Sequence, residues 1–123
     1  MIKGSCLCGD ICFETVARPQ GASMCHCSQC RKQSGGIWAS AYVKDSDLTI
    51  TGPVTWYVAS PQAKRGSCAR CGSFLFWKGR GEDSISFALG AIDGNSGLSV
   101  EKHIFTASKG DYYEIADGVP QQD

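Results

Sequence analysis

The sequence predicts a mainly β domain with Gly-rich turns and little helix. Three observations carry this. Apolar residues recur at every second position over short runs, the period of a strand with one face buried. Helical periodicity is nearly absent. The 123 residues include 15 glycines, above the usual ~7% and suited to many tight turns. This length is that of one ordinary domain, so residues 1–123 are read as a single unit.

Ile11, Phe13 and Thr15 share one face of the first predicted strand, with Asp10, Cys12 and Glu14 on the other. Ile37 to Val43 forms a second. Leu48 and Ile50 alternate with Thr49 and Thr51. Gly52-Pro53 makes a turn, after which Val54, Trp56 and Val58 alternate with Thr55, Tyr57 and Ala59. Ser73 to Trp77 leaves a cysteine turn in extended form. Ser84 to Leu89, Glu101 to Thr106 and Tyr112 to Ile115 complete a set of six to nine strands. One helical turn is expected over Ser28 to Gln33, and Asp117 to Asp123 reads as a loose end. Trp38, Trp56 and Trp77 fall in these strands, where aromatics belong to the core or beside a site. A core this small is marginal and gains from metal staples.

Hydrophobic residues are 42% and charged residues 20%, the balance of an ordered globular chain. No apolar run approaches the ~18 residues of a membrane span. Met1 to Cys6 lacks the apolar stretch of a secretory signal, so the expected location is cytoplasmic, where thiols stay reduced. The formal net charge is zero. No Lys/Arg-rich run or recognition-helix pattern is present, which argues against a nucleic-acid partner. Residues 15–80 nevertheless hold nine Lys/Arg against two Asp. That basic middle either balances metal-bound thiolates or attracts an anionic ligand.

Seven of the eight cysteines lie in three clusters. They are Cys6-Leu7-Cys8 before Gly9, Cys25-His26-Cys27-Ser28-Gln29-Cys30, and Cys68-Ala69-Arg70-Cys71 before Gly72. The last has knuckle spacing, in which a tight turn aims both sulfurs at one ion at ~2.3 Å. Gly72 suits the positive φ that follows such a turn. A Cys-x-Cys pair is the matching half of a four-thiolate site, which is closed and structural. Either N-terminal cluster offers one by spacing. If Cys6 and Cys8 join Cys68 and Cys71, then Cys25, Cys27 and Cys30 remain as three ligands with a fourth position for water or substrate. An extended backbone aims His26 away from the flanking cysteines, toward the surface or a supporting position. Cys12 shares a face with Asp10 and Glu14 and reads as a part-exposed, non-ligating thiol. His103, alone in its strand, reads as structural.

These clusters, in this order and spacing, resemble the glutathione-dependent formaldehyde-activating enzyme family, which includes the centromere protein V type of domain. A weaker match runs through His103-Ile104-Phe105, Ser108-Lys109, Tyr112-Tyr113-Glu114-Ile115 and Val119-Pro120-Gln121. The resemblance implies small tent-like β-sheets stapled by two zinc ions. It implies a structural zinc on Cys6, Cys8, Cys68 and Cys71 and a catalytic zinc on Cys25, Cys27 and Cys30. The implied activity is that of a carbon–sulfur lyase, condensing glutathione and formaldehyde reversibly into S-hydroxymethylglutathione. The partners are then a small thiol and a small aldehyde. Arg31, Lys32, Lys64 and Arg65 are the cations expected to attract the carboxylates of glutathione. The competing reading is a non-catalytic zinc module that binds a partner through exposed tryptophans.

Overall fold

The computed structural model describes every residue from Met1 to Asp123. In chain order the elements are β1 (Ile2–Ser5), β2 (Cys12–Thr15), β3 (Gln20–Cys25), α1 (Ser28–Ser34), β4 (Trp38–Lys44) and β5 (Thr49–Thr51). There follow β6 (Val54–Ser60), β7 (Ala63–Cys68), β8 (Phe74–Gly79), β9 (Ser84–Ala88) and β10 (Lys102–Ile104). No helix is long and apolar enough to cross a membrane. A small sheet has the order β1-β2-β5, and a seven-stranded sheet the order β10-β3-β4-β9-β8-β7-β6. All neighbours are antiparallel except β10 on β3.

The large sheet has two faces of different character, because side chains alternate along each strand. Ala41 and Val43 of β4, Ile85 and Phe87 of β9, and Phe76 of β8 are buried. Val43, Ile85, Phe87 and Phe76 join Ile11, Phe13 and Leu48, from the small sheet and its flanks, in the main core. Phe13 meets Phe76 edge-on at 5.6 Å and Phe87 at 5.3 Å, favourable geometries for aromatic rings. Gly4 of β1 is glycine for a steric reason. A Cβ there would lie 2.2 Å from the Phe13 ring and 2.6 Å from the Ala91 carbonyl oxygen. The opposite face of the large sheet presents Ser40, Tyr42, Trp77 and Ser86 to a broad cavity.

A bulge in β8 supplies that second face with an extra aromatic. The register steps from Gly66↔Phe76 to Ser67↔Phe74, so Leu75 is unpaired and the alternation shifts by one. Phe74 therefore leaves the main core and stacks on Trp38, at 4.2 Å and 24° between planes. Trp38, Phe74 and Trp77 pack around Cys25, Cys30 and Ala88 in a second apolar cluster.

The fold class is as expected, with ten strands instead of six to nine. The unexpected strands are β1, β3 and β7. Their sequences, IKGS, QGASMC and AKRGSC, are poor in β-branched and aromatic residues. Pairing to neighbours overrides that weak local preference. Tyr112 to Ile115, expected as a strand, is irregular. The edge it would need on β10 is taken by the tail. The His103 amide donates to the Pro120 carbonyl at 2.8 Å, and the Gln122 amide to the His103 carbonyl at 2.9 Å. The end of the chain is thus anchored rather than loose. The alternation expected for β6 stops at Val58, which is exposed where the β6–β7 register shifts.

Phe87 is fully buried between Phe13 and the centre of the large sheet. Phe87→Ala is expected to lower unfolding free energy by about 3–5 kcal/mol, the cost of an aromatic-sized cavity. Chemical denaturation of native and variant protein measures this directly.

Candidate metal centres

Two thiol clusters form, and the fold decides which cysteines share them. Cys6, Cys8, Cys68 and Cys71 lie with all sulfurs within 4.8 Å of one another, and so do Cys25, Cys27 and Cys30. The pairing left open by spacing is therefore settled by position. β1 delivers Cys6 and Cys8 to the turn between β7 and β8, which carries Cys68 and Cys71. Cys12 is exposed and outside both clusters.

The four-thiol cluster consists of two facing turns. The Gly9 amide donates to the Cys6 carbonyl at 3.1 Å and the Gly72 amide to the Cys68 carbonyl at 3.0 Å. Both glycines have positive φ, 84° and 79°, which glycine adopts without a Cβ clash. The Ile11 amide donates to Cys6 Sγ at 3.3 Å, and the Arg70 and Cys71 amides to Cys68 Sγ at 3.4 Å. Hydrogen bonding by the Ser73 hydroxyl and amide lowers the Cys71 thiol to about 5. Cys6 and Cys8 sulfurs are 3.6 Å apart, and Cys8 and Cys68 sulfurs 3.7 Å. Sulfurs ~2.3 Å from one tetrahedral ion lie about 3.8 Å from each other, so the donor set fits a zinc-sized soft cation.

The three-cysteine cluster is built by α1. Cys27 caps the helix, its sulfur accepting from the Cys30 amide at 3.3 Å. Cys25 ends β3, two residues earlier. No His, Asp or Glu joins the three thiols. Cys25 and Cys30 are buried, and all three line the cavity of about 1470 Å³ on the second face of the large sheet. None of the four-thiol ligands lines this cavity. Cys30 is lowered to about 6, first by hydrogen bonding to Cys25 and then, against the cost of burial, by the Arg65 guanidinium. The neighbouring Cys25 thiol is correspondingly raised, by its Cys30 partner and by burial.

Arg65 is the one expected cation that reaches this site. It is buried in β7 and donates to Cys30 Sγ at 3.5 Å, Gln29 Oε1 at 3.2 Å and Gln33 Oε1 at 3.2 Å. Its guanidinium carbon lies 5.4 Å from the centre of the Phe74 ring. A fixed planar donor fork of this kind suits a buried pairing. Arg31, Lys32 and Lys64 do not line the cavity. Lys64 lies over the Trp56 ring at 4.5 Å. The cations that do line it, besides Arg65, are Arg18 and Lys102, which the sequence reading did not single out. The tryptophans occupy inner positions: Trp38 and Trp77 beside the three cysteines, Trp56 against the main core.

His26 points away from its flanking cysteines as expected, but into the protein and not to the surface. It is 0% exposed and His103 3%. His26 Nε2 lies 2.9 Å from His103 Nδ1, His103 Nε2 lies 2.8 Å from Asp117 Oδ2, and the Tyr113 hydroxyl meets His26 Nδ1. The Asp117 carboxylate only accepts, so His103 Nε2 carries a proton. With both rings neutral, His26 Nε2 then donates to His103 Nδ1, and the Tyr113 hydroxyl donates to His26 Nδ1. The chain anchors the tail behind the Cys25–Cys27 segment.

Burial, with His103 and Lys109 adding to it, holds His26 below the usual value of 6.5. Below pH ~6.5 the unfolded chain takes up a proton that the folded ring refuses. The His26 contribution to stability is therefore fully present above this pH and declines as the pH falls. The thermal midpoint of the native protein should drop between pH 7 and 5.5 by more than that of His26→Gln. Both proteins share the same cysteines, so the difference isolates the histidine.

The sequence pattern of the family described as glutathione-dependent formaldehyde-activating enzyme matches residues 1–108. No curated protein matches the chain. Among solved structures, a crystal structure of a Rhodobacter sphaeroides protein is similar. It is 28% identical, with a TM-score of 0.60, and the match covers 76% of this chain and 89% of that one. With most of its length matched, including all three cysteine clusters, this chain belongs to the glutathione-dependent formaldehyde-activating enzyme family.

Proposed function

We propose that the protein is a carbon–sulfur lyase that condenses glutathione with formaldehyde, reversibly, into S-hydroxymethylglutathione. The reaction is assigned to the cavity at Cys25, Cys27 and Cys30. The observation that carries this reading is the contrast between the clusters. Four thiols complete a tetrahedral set away from the cavity, whereas three gather on its wall with no fourth ligand. A zinc ion held by those three would act as a Lewis acid that favours the thiolate form of an incoming thiol at neutral pH.

The chain's own residues supply the rest. Cys25, Cys27 and Cys30 form the anionic cradle, and Arg65 offsets part of its charge from below. Arg18 and Lys102 form no ion pair within the protein and are free to meet the carboxylates of glutathione. Glu101 and Asp123, which line the same cavity, suit its amino group. Trp38, Trp77 and Ile104 give the base an apolar surround that limits water. In the forward direction the sulfur lone pair attacks the carbonyl carbon and a C–S bond forms. The carbonyl π pair moves to oxygen, which receives the proton that the thiol gave up. The reverse reaction breaks the C–S bond and returns the proton to sulfur.

Two outcomes are expected. Elemental analysis should find two zinc ions per native chain and one in folded Cys30→Ala. Exchange spectroscopy by NMR should show native protein speeding interconversion of glutathione and its hydroxymethyl adduct. Cys30→Ala should lose about 100-fold or more of that acceleration, at ~1.4 kcal/mol per tenfold. Two zinc ions with no acceleration would overturn the lyase reading and leave a zinc module.

A further inference from the structure

Phe105 is the only non-glycine residue with positive φ, at φ 55° and ψ 40°. That conformation is uncommon and strained for a bulky side chain. Its effect on direction is specific. Along β10, Lys102 and Ile104 line the cavity, and His103 between them points away into the buried histidine chain. A continued strand would place residue 105 on the His103 side. The left-handed turn re-aims it, and Phe105 lines the cavity together with Lys102 and Ile104. Ile104 is the register partner of Cys25 on the adjacent strand, so this ring stands one residue beyond the three-cysteine cluster.

The backbone on either side holds the strained turn in place. The Thr106 amide donates to the Gln122 carbonyl at 3.1 Å and the Ser108 amide to the Phe105 carbonyl at 3.1 Å. The Thr106 hydroxyl donates to Asp123 Oδ1 at 3.0 Å. The ring lies outside the apolar core. It is 53% exposed, stacks on no aromatic and belongs to neither apolar cluster. Phe105 is thus a strained residue at the cavity wall whose half-exposed ring belongs to neither apolar cluster.

We propose that Phe105 is a specificity-determining contact: its ring forms the rim of the cavity and packs on the peptide portion of the thiol substrate. The site then favours a peptide thiol over a small one. This rests on the lyase reading above. The methylene groups and amide planes of glutathione offer flat apolar surface to a ring face, while Arg18 and Lys102, which line the same cavity, suit its carboxylates. A thiol of two carbons reaches the cysteines and leaves the rim bare.

The test compares zinc-containing native protein with Phe105→Gly, Phe105→Ala and Phe105→Tyr. Each is assayed with formaldehyde and either glutathione or 2-mercaptoethanol, with glutathione binding followed by calorimetry. In the Gly and Ala variants, KM and Kd for glutathione should rise about fivefold or more, with kcat within about twofold. The constants for 2-mercaptoethanol should not move, and Phe105→Tyr should restore glutathione. The thermal midpoint of Phe105→Gly should be at or above the native value, because glycine relieves the turn. A folded, active Gly or Ala variant with unchanged glutathione KM and Kd would overturn the proposal alone, as would equal losses for both thiols. Native protein that turns over neither thiol would overturn the lyase reading and the role of Phe105 with it.

Discussion

The meeting of Cys6 and Cys8 with Cys68 and Cys71 is the constraint on which the rest of the structure depends. The small sheet has three short strands, and its apolar face is covered by the large sheet. It shares with the large sheet the core of Phe13, Phe76 and Phe87, and at one end the four sulfurs meet. Closing residues 6 to 71 on one ion would restrict the unfolded chain as a cross-link does, and metal-binding energy would become folding energy. With the small sheet fixed on one face of the large one, the other face is left to form a cavity.

That division explains how polar and charged groups are tolerated so near the core. Arg65 is buried, yet its guanidinium donates to Cys30 sulfur and to the Gln29 and Gln33 amide oxygens and lies over the Phe74 ring. A lone buried guanidinium would be costly; beside a thiolate-rich cluster it is compensated. The bulge at Leu75 is part of the same arrangement, since it is what turns Phe74 to that face. The two buried histidines are satisfied end to end by Tyr113 and Asp117. They sit behind the cysteine segment and do not line the cavity. Their role in the structure is to fasten the tail against β10 and β3.

The cavity brings together elements far apart in sequence: the ends of β3 and β10, the start of α1, the middle of β7 and the last residues of the chain. The three thiols are fixed by regular structure on two sides. The rim is made of turns and the tail, where backbone strain can be used to aim a side chain. The base of the cavity is thus set by regular structure and its rim by turns and the tail.

Much of this was legible in the sequence. Alternation located β2, β5 and β6, because one buried face imposes a period of two, and β4, β8, β9 and β10 were legible as short extended runs. Cysteine spacing marked the turn at Cys68 and Cys71, because two sulfurs on one ion need a tight turn between them. It could not assign Cys6 and Cys8 to Cys68 and Cys71 by itself; that required β1 and the β7–β8 turn to meet in space. Strands β1, β3 and β7 carried no local signal, since their pairing comes from neighbours. Arg65 was named for its charge, but its burial against Cys30 depends on β7 facing α1. The His26–His103–Asp117 chain joins residues up to 91 positions apart. Local order and metal-ligand spacing act within a few residues and are written in the sequence. Which face a side chain takes, and what it meets there, depends on register and sheet packing, and only the tertiary structure decided those.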